Sequence, residues 1–208
     1  MTMATSKDVP GFLPSTDGLH FRNTFEPGRT VHLGPFDTRW LGGLGDAKNG
    51  LCGGMCWYVR ERFEAGASIP PDTATRGNGT PLFEALVRRQ VLSLEWFRTP
   101  VGFWWIGAFG TDRTLRQTRD RELPRIRATI DRGRLAMVGL VRHQGVNPFS
   151  LSASHQVVGY GYTVEGNVTT LRVYDPNHPN LDTVVVVTEP SRITQSTGET
   201  LYGVLSLG

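Results

Sequence analysis

Cys52 and Cys56 flank a Gly-Gly-Met stretch in Asn49-Gly50-Leu51-Cys52-Gly53-Gly54-Met55-Cys56-Trp57, where a glycine-rich loop runs into an apolar segment. A cysteine attacks a carbonyl only as its thiolate. The free thiol has a pKa of about 8.5, and a helix N-terminus with a neighbouring imidazolium lowers it by several units. A cysteine opening a helix over residues 52–65 has the first of these. The helix dipole favours an anion there, and the unpaired N–H groups of the first turn can hold an oxyanion. Gly53 and Gly54 are poor helix formers that let an acyl group approach the backbone. The second ingredient is a histidine, and His155 opens a strand-like run in Ser154-His155-Gln156-Val157-Val158. The third is an acid, and Asp175 closes the next such run in Val173-Tyr174-Asp175-Pro176-Asn177. Gly166-Asn167 between them reads as a hairpin turn, so the two strands pair antiparallel and bring Asp175 back beside His155. Cysteine, histidine and aspartate in this order suit nucleophilic acyl transfer. The imidazole takes the thiol proton and the carboxylate orients the imidazole.

Taken singly, each residue has a plainer role. A cysteine on an apolar helix face is commonly core, a strand histidine is commonly a satisfied polar group, and Asp-Pro commonly makes a turn. The combination is what points to chemistry. Cys52 is the expected nucleophile because it meets the loop and the first free N–H groups. Cys56 takes that role if the helix starts near Met55. Asn177 and His178 are candidates for a secondary contact or for orienting the imidazole. A zinc site from Cys52, Cys56, His155 and Asp175 is a competing arrangement, since Cys-x3-Cys lies within ligand spacings. It would need ligands reaching out of the core, so no metal is expected. His20, His32 and His143 have no motif around them and read as surface residues.

The elements that must position these groups follow from periodicity. Cys52, Cys56, Val59 and Phe63 recur at helical spacing, with Arg60, Glu61, Arg62 and Glu64 on the other sides, and Gly66 stops the helix. Thr80-Pro81 reads as a cap with proline in the first turn, opening a helix to about Trp96. Leu123, Ile126 and Ile130 mark a short amphipathic helix to Arg132. From Arg134 the period becomes that of strands: 135–141, 155–164, 169–174, 183–188 and 201–207, a meandering antiparallel sheet. Short strands at 19–25 and 30–33 flank the Pro27-Gly28 turn, and residues 34–50 read as a loop. The aromatic segment 101–110, with Phe103, Trp104, Trp105 and Phe109, is expected to be packed. Helices first and sheet second give an α+β class. The expected organisation is a flexible N-terminal arm over 1–18 and one domain over 19–208, helical at about 50–133 and sheet at about 134–208.

The chain has 208 residues, with 38% hydrophobic and 20% charged, and carries 10 Phe, 5 Trp and 5 Tyr. That length buries a full core and excludes general disorder. No apolar run reaches the length of a membrane helix, so no membrane partner is expected. The N-terminus lacks the basic and apolar regions of a secretory signal, which makes the cytoplasm the expected location, with non-classical export still open. Two cysteines are too few for a disulfide scaffold and read as thiols in a reducing compartment. The net charge is +3. Eight arginines crowd residues 113–134, but Asp112, Asp120, Glu122 and Asp131 are interleaved with them. This reads as a solvated helical face, and no nucleic-acid partner is expected.

Cys52-Gly53-Gly54-Met55-Cys56-Trp57 resembles the nucleophile motif of the papain-like cysteine peptidase superfamily. Its spacing is similar to Cys-Gly-Pro-Ala-Cys of the bacteriocin-processing peptidases, in which the first cysteine attacks, and this nominates Cys52. It also resembles Cys-Gly-Ser-Cys-Trp of papain's close relatives, which nominates Cys56. Bacterial proteins with a Gly-Leu-Cys-Gly-Gly-Met signature, a later His-Gln-Val and a Tyr-Asp-Pro-Asn look similar as well. The resemblance implies a papain-like fold, a central nucleophile helix packed on a C-terminal antiparallel sheet. It also implies a cysteine peptidase or amidase with a Cys-His-Asp triad, a peptide or protein substrate and no cofactor. It covers three short motifs, about a fifth of the chain. The superfamily's glutamine about six residues ahead of the nucleophile is replaced by Asp46 for Cys52, or by Gly50 for Cys56. Asn49 is the nearest amide to serve the oxyanion, alongside the backbone at Gly53. The alternative function is a non-catalytic binding module on the same fold. Substrate specificity and oligomeric state leave no trace in the sequence.

Overall fold

The computed structural model describes residues 4–26, 50–75, 77, 79–93, 110–142, 154–189 and 192–207, together with the backbone of a short hairpin at 32–33 and 36–37. In chain order the elements are β1 (Thr5–Asp8), α1 (Pro14–Asp17), β2 (His32–Leu33) paired with β3 (Phe36–Asp37), α2 (Cys52–Glu64) and α3 (Pro81–Ser93). Then come α4 (Thr111–Gln117), a π-helical turn (Thr118–Glu122) and α5 (Leu123–Asp131). The strands β4 (Ala136–Val141), β5 (His155–Glu165), β6 (Val168–Tyr174), β7 (Thr183–Thr188), β8 (Arg192–Gln195), β9 (Thr200–Leu201) and β10 (Gly203–Leu207) complete the chain. The class is α+β, with mixed helices and one curled antiparallel sheet.

The sheet has eight strands, ordered β10-β4-β5-β6-β7-β8-β9, with β1 added to β5. From β4 to β9 each strand pairs with its sequence neighbour, which is the expected meander. β9 and β10 are separated by Tyr202 alone, yet they lie at opposite ends of that order. One short stretch of chain can touch both edges only if the sheet curls round on itself. The Tyr202 N–H seals the turn by donating to the Val141 carbonyl at 2.8 Å. Every residue of β4 and the first eight of β5 are buried, so both faces of the sheet centre are covered. The alternation of buried and half-buried residues along β6 and β7 marks strands with one wetter face. The helices α2 and α5 both pack on β5.

Capping and periodicity act as expected in the helices. Thr80 caps α3, its Oγ1 accepting from the Phe83 N–H at 3.3 Å. In α5, Leu123, Ile126 and Ile130 form the buried stripe. The helical turns over 111–122 were not expected. Leu115 is the one large apolar side chain there, so no stripe exists to read. Their inward residues are polar. Thr118 Oγ1 accepts from the Val204 N–H at 3.0 Å, and Glu122 Oε2 accepts from the Ser206 N–H at 3.1 Å. The π turn thereby covers the free edge of β10. The crowded arginines are interleaved with acids as expected, and Arg119 pairs with Asp120.

The N-terminal residues require a correction. In place of a flexible arm, Thr5–Asp8 pair with Gly161–Val164 of β5, and Val9 and Phe12 are buried in the core. The side chains of β1 are all exposed, so nothing in their polarity marks a strand. The pairing runs through backbone and through Arg172, whose guanidinium donates to Asp8 Oδ1 at 2.6 Å, Lys7 O at 3.0 Å and Ser6 Oγ at 3.2 Å. Residues 19–25 are irregular rather than a strand, with Leu19, Phe21 and Phe25 turned into the core. The four-residue β8 was also missed, being too short and polar to show a period. The segment 101–109, the glycine loop from 34 to 49 and the stretch 94–100, where α3 was expected to end, lie outside the described residues.

Candidate active site

The first turn of α2 is anchored by side chains from two directions. The Leu51 N–H donates to Asn23 Oδ1 at 2.6 Å, and the Gly54 N–H donates to Gln90 Oε1 of α3 at 2.8 Å. The Met55 N–H closes the first helical bond to the Leu51 carbonyl at 2.8 Å. This leaves the N–H groups of Cys52 and Gly53 as the backbone donors beside the Cys52 sulfur. Gly50 precedes the helix with φ +86, and a side chain there would strike Asn23. Gly53 and Gly54 serve a packing role that the sequence did not reveal. A methyl group at Gly54 would overlap the Leu86 carbonyl of α3, and one at Gly53 would crowd Ser93 and Gln156. The two glycines let α3 approach the start of α2.

The two cysteines have different surroundings. Cys52 is partly exposed, whereas Cys56 is 0% exposed and donates its thiol to the Gln156 carbonyl at 3.3 Å. Burial, reinforced by the neighbouring Cys52 and Asp175 charges, pushes the Cys56 thiol well above its ordinary range. Burial would also raise the Cys52 thiol, but the hydrogen bond to His155 and its positive charge outweigh it. Backbone N–H groups of Gln156 and Gly53 add to the effect, and the Cys52 pKa is lowered.

His155 is 2% exposed and Asp175 0%. The imidazole Nε2 donates to Asp175 Oδ1 at 2.6 Å, which leaves Nδ1 to face the thiol. Burial would lower the His155 pKa, but the Asp175 charge and hydrogen bond, with the Cys52 contact, raise it to about 9. The Asp175 carboxyl feels the same pair from the other side. Burial raises it, yet the His155 charge, with donors from His155, Asn177 and Gln195, brings it to about 2.

A β-bulge makes this contact possible. Counted from the turn, Glu165 pairs with Val168 and Gly161 with Arg172, but the next pairs are Gly159 with Val173 and Val158 with Tyr174. Tyr160 is the extra residue. In an unbroken ladder Asp175 would continue opposite Val158, on the face away from His155. The bulge moves it opposite Val157, which shares a face with His155. Asn177 is a secondary contact: its N–H donates to Asp175 Oδ1 at 2.8 Å, and its side chain accepts from Asn23 Nδ2 at 3.0 Å. The His178 N–H donates to the Asp175 carbonyl at 2.9 Å.

The structure thus brings Cys52, His155 and Asp175 together, sets Asn177 behind them and places Cys56 one turn away in the core. Asn49 and His143 lie outside the described residues. His20 is an exposed partner of Asn180. Among the described residues, no three of His, Cys, Asp or Glu converge on a point where a metal could sit. Three residues of the assembly went unread in the sequence: Asn23, Gln90 and Gln195, whose Nε2 donates to Asp175 Oδ2 at 2.5 Å. None lies in a motif, and each acts across a distance in sequence that only the fold closes. Among the described residues, no helix is long and apolar enough to cross a membrane. No family model, curated protein or solved structure gave a significant match to the chain.

Proposed function

We propose that the chain is a thiol-dependent acyl-transfer enzyme of papain-like type, a cysteine peptidase or amidase acting on a peptide or protein. Cys52 is the nucleophile, His155 the general base and acid, and Asp175 the orienting group. One observation carries this reading: a partly exposed thiol at a helix N-terminus touches an imidazole whose other nitrogen is held by a buried carboxylate at 2.6 Å. His155 takes the Cys52 proton, and the thiolate attacks the substrate carbonyl carbon. The N–H groups of Cys52 and Gly53 serve the resulting oxyanion. As the tetrahedral intermediate collapses, the imidazolium returns its proton to the leaving amine. The acyl group is left on Cys52 as a thioester. Neutral His155 then draws a proton from water, the hydroxide attacks the thioester, and the acid is released with the thiol restored. The two unbridged thiols suit a reducing compartment such as the cytoplasm.

The test is the rate of thiol alkylation against pH for the parent, Cys52→Ala, Cys56→Ala and His155→Ala. The parent and Cys56→Ala should show one thiol titrating below about 8.5. Cys52→Ala should abolish it. His155→Ala should slow alkylation at pH 6 by about tenfold or more, since each unit of thiol pKa is a tenfold change in thiolate. Slow alkylation indifferent to His155 would sink the enzyme reading and favour a binding module on the same fold.

A further inference from the structure

We propose that Gln195 is the positioning residue of this site: its side-chain amide holds the second oxygen of Asp175 and, through Asp175, sets how long Cys52 and His155 persist as an ion pair. The inference rests on the functional reading above and adds a fourth residue to it. The argument begins with the lone pairs of a carboxylate that water does not reach. Oδ1 of Asp175 accepts from His155 Nε2 at 2.6 Å and from the Asn177 N–H at 2.8 Å. Among the described residues, Oδ2 accepts from Gln195 Nε2 alone, at 2.5 Å. A buried carboxylate with one oxygen unpaired drifts toward its neutral form, and a neutral Asp175 no longer supports an imidazolium.

The amide is committed to this orientation. Turning it over would set Oε1 against a carboxylate oxygen. As it stands, Gln195 Oε1 is buried without a partner. A buried amide oxygen left unpaired is destabilising, and an apolar side chain of the same length would avoid that. The contact with Asp175 is the gain that offsets it. The backbone makes the grip rigid. Gln195 pairs with Val185 and is 3% exposed. Its N–H donates to the Glu199 carbonyl at 2.9 Å, and its carbonyl accepts from the Gly198 N–H at 3.0 Å. The titratable groups facing Asp175 are His155 from β5, Cys52 and Cys56 from α2, and its neighbour Tyr174 from β6. Burial keeps Cys56 and Tyr174 protonated, so Asp175, His155 and Cys52 carry the pH response.

The experiment is the pH profile of Cys52 alkylation in the full chain for the parent, Gln195→Met and Gln195→Glu, with thermal melts alongside. In the parent, reactivity rises as the thiolate forms and changes again as the imidazolium is lost. In Gln195→Met the acid limb should move up by about one pH unit and the alkaline limb should move down, narrowing the plateau. Alkylation at the foot of the acid limb should fall by about tenfold. Gln195→Glu should move both limbs the same way and further, because two facing carboxylates favour sharing a proton. A lowered melting temperature with both limbs in place would show a purely structural glutamine and overturn the inference. A parent without a low-pKa thiol would overturn the functional reading and this one with it. If both variants fail to fold, the Gln195 side-chain amide resonance of the parent reads the contact directly. It should shift with the titration of the Asp175–His155 pair, and a resonance indifferent to pH would overturn the proposal.

Discussion

Gly54→Ala sets two effects of opposite sign against each other. Helix propensity alone favours alanine in a helix by about 1 kcal/mol. The packing opposes it. A methyl group at 54 would overlap the Leu86 carbonyl and press on the Gln90 N–H, both backbone groups of α3. Backbone cannot rotate aside as a side-chain end can, so the two helices must separate by about 1 Å. Overpacking that forces a backbone shift costs about 3 kcal/mol at the upper end of its usual range. The net expectation is a loss of about 2 kcal/mol, or roughly 4–8 °C in melting temperature for a chain of this size. Gly53→Ala is the internal comparison. Its methyl group would meet Ser93 Oγ and Gln156 Oε1, both side-chain ends, so its loss should stay below about 1 kcal/mol. Urea unfolding of the three proteins gives the values. The separation should also draw the Gly54 N–H from Gln90 and loosen the turn that presents Cys52, slowing its alkylation. A Gly54→Ala protein as stable as the parent, or more so, would refute the close α2–α3 approach and the reason given for both glycines.

Two further outcomes follow from the same contacts. In Cys52→Ala, where only the Asp175–His155 pair titrates, stability should be greatest between about pH 4 and 6.5. On the acid side it should fall by about 2 kcal/mol as pH drops toward 2, because the Asp175 pKa of about 2 lies below its unfolded value. On the alkaline side it should fall as pH rises toward 9, because the His155 pKa of about 9 lies above its unfolded value. A further Asp175→Asn change should flatten the acid limb, and a persisting limb in urea titrations would count against the pair. Asn23→Ala removes the acceptor for the Leu51 N–H and the donor to Asn177 together. It should lower stability by about 1–2 kcal/mol, as the loss of a helix cap does, and slow Cys52 alkylation. Equal alkylation rates at unchanged stability would show that neither contact matters.

How far the site was legible in the sequence depends on what each residue leans on. The α2 helix shows in its own spacing, and the strands show in their alternation, because both patterns record which side chains face the core. The partners that hold the site leave no such record. Asn23 sits in irregular chain and reaches Leu51, while Gln195 ends a four-residue strand and reaches Asp175. A single polar side chain turned inward has no period. Asp175 and His155 are the instructive case. The Gly166-Asn167 turn implied that they are neighbours along the sheet, and they are. Nearness along a hairpin is not enough, because side chains alternate between faces and a one-residue slip reverses the outcome. Counted straight from that turn, Asp175 falls opposite Val158 and points away from His155. The extra residue at Tyr160 corrects the count. Its signal lies in Gly159-Tyr160-Gly161, two glycines bracketing an aromatic inside an otherwise β-branched and aromatic strand. Gly161 leaves room for the Arg172 guanidinium and the Asp8 carboxylate that clamp β1 to the sheet. The same irregularity therefore admits the N-terminal strand on one side of the bulge and turns the carboxylate toward the imidazole on the other.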